Sequence, residues 1–165
     1  MKNKLKIYSE NLIIALEDQS DSFDYFLDLE NGNVVSLFRN DMDDEFEEED
    51  PPDLCGYNRE IVDNNPDRFI VIDPIDSRES FKIMEDFVST VLNDVIKNAL
   101  ISALSKRKPF RNFKDELNHL PEIQKEWYKY HGIEMEKIAH EWLEDNNITA
   151  ELIRNHLIDK NAKDT

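Results

Sequence analysis

Apolar residues change their spacing along this chain, and each change marks an element. Leu12, Ile13 and Leu16 sit at i, i+1 and i+4, which predicts a short helix. Ser9 is its expected N-cap, and Glu10 in the first turn suits the helix dipole. The period then falls to two. Phe23, Tyr25, Leu27 and Leu29 alternate with Asp24, Phe26 and Asp28, and Val34, Val35, Leu37 and Phe38 form a return strand. Asn31-Gly32 between them predicts a two-residue type I′ turn, whose central positions both need positive φ. One hairpin face reads as apolar, and the other, with Asp24 and Asp28, as wet or at an edge. Phe69, Ile70, Val71 and Ile72 run consecutively within Arg68–Asp73, as in an interior or two-sided strand, and Pro74 ends it.

Beyond Pro74 the period becomes helical. Ser77 is expected to cap a helix, with Glu79 early in it and Ser80 at N3. From Phe81 through Met84, Phe87, Val88, Val91, Leu92, Val95, Ile96, Ala99, Leu100, Ala103 and Leu104, apolar residues recur every three or four. This is one long helix, or two broken near Asn93. Lys106-Arg107-Lys108-Pro109 interrupts the pattern, and Pro109 is placed to open the next helix. A last long stripe runs from Ile123 to Leu143, with Gly132 either kinking one helix or separating two, and Asn146-Asn147 ends it. Thr149 is then expected to cap a final helix through Leu152, Ile153, His156 and Leu157. The expected class is α+β: a small antiparallel sheet of about three strands and a mainly helical C-terminal half. The division falls at residues 1–76, which include an acidic loop at 41–53, and 77–165, within one compact domain.

Charge sharpens this division. The 165 residues carry 37 acids and 20 bases, a formal net charge of −17. Residues 1–90 hold 24 acids and 8 bases, while residues 91–165 hold 13 and 12. Eight of the ten residues from Asp41 to Asp50 are acidic, which predicts a solvated loop rather than a calcium site, because no glycine supplies a sharp turn there. Leu, Ile, Val and Phe still make up 47 of 165 residues, enough apolar side chain for a folded core. The net charge opposes indiscriminate binding to nucleic acid or anionic lipid.

Several chemistries drop out. A lone cysteine, Cys55, allows no intrachain disulfide and no CxxC zinc site. Three glycines, Gly32, Gly56 and Gly132, cannot make a GxGxxG or Walker A loop. His119, His131, His140 and His156 form no HExxH motif, since Glu144 stands where the second histidine after His140-Glu141 belongs. Asp24 with Asp28, and Asp73 with Asp76, are carboxylate pairs that read as hairpin solubility and helix capping. Trp127 and Trp142 read as core. No catalytic residue, metal or cofactor is expected. No apolar run approaches membrane-spanning length, and Met1–Ile7 lack a signal-like apolar core, so a cytoplasmic protein is expected.

The residues Asp28-Leu29-Glu30-Asn31-Gly32-Asn33-Val34-Val35, Met84-Glu85-Asp86-Phe87, Phe110-Arg111-Asn112-Phe113-Lys114-Asp115 and Trp142-Leu143 carry a resemblance. In order and spacing the chain resembles the bacterial uncharacterised protein family 0158, with its LDLETGEV-like strand, MEDF segment, FRRFKD-like signature and late WL, over roughly residues 8–146. The resemblance implies a cytosolic bacterial protein and carries no mechanism. The family pattern has glycine just before the FRRFKD-like signature. Ser105-Lys106-Arg107-Lys108-Pro109 has none, so a glycine-cradled anion site is not implied here.

One cluster remains as candidate chemistry. Lys106, Arg107, Lys108, Arg111 and Lys114 are five bases with no acid among them, interleaved with Phe110 and Phe113. Bases and aromatics at a helix start suit an anion. Arg111 and Lys114 share one face, and the phenylalanines another, which lets the rings enter the core while the bases stay out. The competing reading is internal pairing, as of Arg111 with Asp115 or of this patch with the acidic half. The reading favoured is a non-enzymatic interaction module with an acidic body and one basic, Phe-containing patch, binding a protein partner or a second copy of itself. Nucleic-acid or phosphate-ligand association through residues 106–114, and an enzyme with a site assembled only by folding, are the alternatives.

Overall fold

A computed structural model describes residues 4–39 and 57–154. The acidic run, Cys55 and His156 lie outside the described residues. The order of elements is β1 (Leu5–Tyr8), α1 (Ser9–Glu17), β2 (Phe23–Asp28), β3 (Val34–Phe38), α2 (Arg59–Asp63), β4 (Phe69–Ile72), α3 (Ser77–Thr90), α4 (Asp94–Ser105), α5 (Pro109–Asn118), α6 (Pro121–Asp145) and β5 (Ala150–Ile153). The class is α+β with a helical C-terminal half. The chain forms two compact units, one from residues 1–74 and 139–165, the other from residues 75–138. Among the described residues no helix is long and apolar enough to cross a membrane.

In the first unit the three-stranded antiparallel sheet has the order β3-β2-β4. Phe23 pairs with Phe38 and Leu27 with Val34 across the hairpin, while Tyr25 pairs with Ile72 on the other side. The hairpin strand β2 is therefore central, and β4, expected as an interior or two-sided strand from its continuous apolar run, lies at an edge and is two-sided. The run is apolar because Phe69 and Ile72 face opposite ways and both are buried.

The expected wet face is also corrected. Val35, Leu37, Tyr57, Val62 and Phe69 form a buried cluster joined by Phe26, which lies on the face of β2 that carries Asp24 and Asp28. Asp28 has no exposure at all. Its Oδ1 accepts from Arg68 Nε at 2.9 Å and from the Glu30 amide at 2.9 Å. Its Oδ2 accepts from Arg68 Nη2 at 2.8 Å and the Tyr57 hydroxyl at 2.7 Å. The Tyr57 oxygen in turn accepts from the side-chain amides of Asn31 and Asn33, at 2.9 and 3.1 Å. Burial pushes the Asp28 carboxyl up, but the hydrogen bonds from Arg68, Tyr57 and Glu30 together outweigh it and hold the group below the usual carboxylate range. The residue is an ionised, fully bonded member of the core.

This network also changes the turn. Gly32 N–H donates to the Asp28 carbonyl at 2.8 Å and Asp28 N–H to the Asn33 carbonyl at 2.8 Å, closing a four-residue loop instead of a type I′ turn. Only Gly32 takes positive φ, at 83°. A Cβ there would run into the Lys6 carbonyl oxygen, so glycine is required twice over, by conformation and by the approach of β1.

β1 and β5 pair in parallel, Leu5 with Ala150 through Tyr8 with Ile153. Over Ala150–Ile153 the predicted last helix is thus a strand, and His156 and Leu157 of that prediction lie outside the described residues. The start of the strand is set by the end of α6, where Asn147 has φ 56° and Ile148 N–H donates to the Leu143 carbonyl at 2.8 Å. That Schellman closure ends the helix and turns the chain away before Thr149 can cap another. The expected caps Ser9 and Ser77 are both first helical residues; Tyr8 and Asp76 precede them, and Asp76 accepts from Arg78 N–H at 2.9 Å.

In the second unit the long stripe is two helices, with the Asn93 side chain accepting from Val95 and Ile96 N–H. The break resets the helical phase. Val91 is buried, but Leu92 and Val95, expected in the core stripe, are 96% and 80% exposed. Ile83, Met84, Phe87 and Val88 of α3, Leu100, Ala103 and Leu104 of α4, and Phe113 and Leu117 of α5 are buried. Trp127 of α6 is the aromatic hub, 5.0 Å from the Phe113 ring, 5.3 Å from Phe87 and 5.0 Å from His131. α6 runs unbroken through Gly132.

Candidate functional site

The turn between α4 and α5 places the five predicted bases. Ser105 ends α4, Pro109 occupies the first position of α5, and Lys108 between them has φ 62° and ψ 59°. The Asn112 side-chain amide donates to the Arg107 carbonyl at 2.8 Å and its backbone N–H to the Lys108 carbonyl at 3.1 Å, which hold the turn. The left-handed residue is the one that glycine adopts without cost, which gives a backbone reason for glycine before such a signature. A left-handed L-residue costs about 1–2 kcal/mol, whereas glycine's extra unfolded-state entropy costs about 0.4–1 kcal/mol. Lys108→Gly is accordingly expected to raise stability by about 0.5–1 kcal/mol. Urea melts of Lys108→Gly beside Lys108→Ala check this, since alanine should bring no gain.

Lys106, Arg107, Lys108, Arg111 and Lys114 are all exposed. Of these five, only Arg111 has an ion-pair contact among the described residues, with Asp115 at 4.0 Å, the predicted i+4 partner. Both of those side chains are more than half exposed, a setting in which such a pair contributes little. α5 also has no side-chain cap and no acid in its first turn, whereas α1, α2, α3, α4 and α6 each carry one there. Positive charge at a helix N-terminus opposes the dipole, by about 0.3–1 kcal/mol per group. The local sequence thus works against α5, and positive charge is left uncompensated where backbone N–H groups also point outward.

The two phenylalanines separate. Phe113 is 1% exposed and packs on Trp127, as expected. Phe110 is 38% exposed and meets Phe81 edge-on at 6.5 Å, so it belongs to the surface and not the core. Phe81 lines an open cleft of about 320 Å³ between α3 and α4, with Val88, Ile101 and Leu104 as its apolar lining and Glu85 and Lys97 at its rim. Ser105 closes the lining at the end where the basic turn begins. The periodicity assigns Val88 and Leu104 correctly to the core, but it does not show that the stripe is only partly covered at Phe81.

The carboxylate pairs part as well. Asp28 is buried in the network above. Asp24 binds Arg39 and Arg59, and those guanidinium groups, Arg39 first, hold its carboxyl down despite burial. Folding brings Asp18, Asp21, Asp24 and Asp73 around one polar recess of about 40 Å³, a grouping that linear spacing does not reveal. Tyr25 donates to Asp18 Oδ2 at 2.6 Å; burial, and then this bond, push the phenol up to about 12. Hydrogen bonds from Ser20 and Tyr25 lower the Asp18 carboxyl. Asp18 and Asp24 are thus held ionised by their partners, and the recess has room for a water, not a substrate. Among the described residues no group of three His, Cys, Asp or Glu side chains is arranged to hold a metal. His119 and His140 are exposed, and His131 stacks on Trp127.

Comparison with known proteins gives a family and a relative. The model of the Uncharacterised protein family (UPF0158) matches residues 2–163. A UPF0158 protein of Pseudomonas aeruginosa is 32% identical over 139 residues, 84% of this chain and 82% of the relative. No solved structure matches the chain significantly.

Proposed function

We propose that this chain, which belongs to the Uncharacterised protein family (UPF0158), is a non-enzymatic, cytoplasmic interaction module. Its binding surface is the basic turn Lys106–Lys114, and its partner is an acidic protein segment. One observation carries the reading: five exposed bases gather around the half-exposed Phe110 at the uncapped start of α5, and four of them have no ion pair among the described residues. Such a surface offers charge to carboxylates and an aromatic edge to an apolar side chain. A nucleic acid would meet the same bases, but the net charge of −17 opposes a long, continuously charged phosphate backbone more than a short acidic segment that also brings an apolar side chain to Phe110.

Fluorescence anisotropy tests the reading with two labelled probes, an acidic peptide with a central phenylalanine and a single-stranded oligonucleotide. The peptide is expected to bind the full chain and to weaken at least about tenfold with Arg111→Glu plus Lys114→Glu, a loss of about 1.4 kcal/mol. Unchanged peptide binding by that double variant overturns the reading. Tighter binding of the oligonucleotide, falling steeply with salt, replaces it with nucleic-acid association.

A further inference from the structure

We infer that the cleft between α3 and α4, together with the basic turn beside it, receives the Asp41–Asp50 segment of a second copy of this chain. The inference rests on the reading of Lys106–Lys114 as a docking surface and names its occupant. Charge and apolar character both argue for that occupant. Asp41–Asp50 carries eight acids, and its other two residues are Met42 and Phe46. They are spaced by four and each is flanked by acids. The receiving surface offers a complement: Phe81 and the exposed Ile101 line the cleft over the buried Val88 and Leu104, Lys97 and a single acid, Glu85, also line it, and Lys106, Arg107 and Lys108 immediately follow Ser105 at one end. At about 320 Å³ the cleft is at the lower limit of ligand pockets and is open, which suits an inserted side chain more than an enclosed small molecule. Ile101 is 47% exposed in its wall, so apolar surface is present there for a partner to cover.

The pairing is reciprocal. Each copy carries one segment and one cleft, so two copies exchanging segments make a closed, two-fold pair. Phe46 and Met42 supply the apolar contact, and the flanking carboxylates meet the bases. Salt should weaken the pair, because the charged groups are exposed.

Sedimentation velocity on the full chain, over a wide concentration range at low and high salt, tests this. Wild type is expected to form a dimer that weakens with salt. Met42→Ser plus Phe46→Ser in the segment, and Ile101→Asp in the cleft wall, should each weaken it at least about tenfold. The decisive arm mixes two defective chains: the segment variant, whose cleft is intact, and Arg111→Glu plus Lys114→Glu, whose segment is intact. Each alone should be monomeric, and together they should form a one-to-one heterodimer with a single docked segment. A wild type that stays monomeric throughout overturns the inference, as does a dimer indifferent to both variants or a mixture that fails to pair. Ile101 is half exposed, so its substitution should leave the fold intact, and the mixing arm does not depend on it. A monomeric wild type that still binds the acidic Phe peptide leaves the docking surface standing and removes only the second copy as its occupant.

Discussion

Asp28→Ala should cost about 3–5 kcal/mol of stability, the loss expected when one partner of a buried ion pair is removed. Against typical stabilities of about 5–15 kcal/mol this is about a fifth or more of the total, and it should show as a large fall in urea midpoint. The cause is what the substitution leaves behind. The Tyr57 hydroxyl would lose its acceptor and the Glu30 amide its partner at a carboxylate site with no exposure, and Arg68, itself 33% exposed, would keep only its ion pair with the Glu30 carboxylate at 3.1 Å. Asp24→Ala, four residues along the same strand face, is the control. Asp24 is itself 23% exposed, where Asp28 is fully buried, so water reaches the carboxylate site as well as Arg39 and Arg59 and the cost should stay near about 1 kcal/mol or below. Asp28→Ala with Arg68→Ala should cost less than the sum of the single changes, because both changes break the same two bonds.

The same network sets a dependence on pH. The Asp28 carboxyl titrates lower in the folded chain than in the unfolded one, where an aspartate sits near 3.9. In the acid range the unfolded state therefore binds more protons, and stability rises with pH. The contribution is fully present above the unfolded value and is lost as pH falls through the lowered folded one. Asp18 and Asp24 act in the same direction. Urea midpoints measured from neutral pH into acid should fall steeply for wild type and less steeply for Asp28→Asn, which has no proton to take up. Equal slopes would mean that Asp28 is not ionised in the fold.

Phe113→Ala should cost about 3–5 kcal/mol, the usual range for removing a buried aromatic from a packed core. Phe113 is 1% exposed and its ring meets Trp127 at 5.0 Å, so the deletion opens a cavity at the hub that Phe87 and His131 also touch. Phe110→Ala, three residues earlier in the same motif, should cost less than about 1 kcal/mol, because that ring is already 38% exposed and makes one aromatic edge contact at 6.5 Å. Its effect should fall on binding of the acidic peptide. Thermal melts beside peptide titrations separate the two residues. If Phe110→Ala unfolds the chain while leaving peptide affinity intact, the ring is structural and the docking surface shrinks to the bases alone.

How much of this was legible beforehand follows from the range of the interactions. Helix and hairpin positions are written in local periodicity, so the hairpin, Pro109 at the start of α5 and the asparagine end of α6 could all be read from neighbouring residues, while the break near Asn93 stood as one of two alternatives. The five exposed bases were legible too, because a run without acids has no local way to neutralise itself. β1 and β5 were not. Four residues are too few to show a period of two, and each is a strand only because the other, more than 140 residues away, supplies its hydrogen bonds.

The amino-acid sequence by itself determined the α+β class, the family, the uneven charge and the location of the basic turn. Tertiary structure alone decided which of two similar residues each motif spends on the core: Asp28 and not Asp24, Phe113 and not Phe110, Val91 and not Leu92. Alternation and heptad-like spacing say which residues share a face, and they do not say how far the covering layer extends. In the sheet, Tyr57 and Arg68 reach over one end of that face, so a carboxylate there is buried and must be paired. In the helical unit the cover stops short of Phe110 and Ile101, and an apolar cleft is left beside uncompensated positive charge.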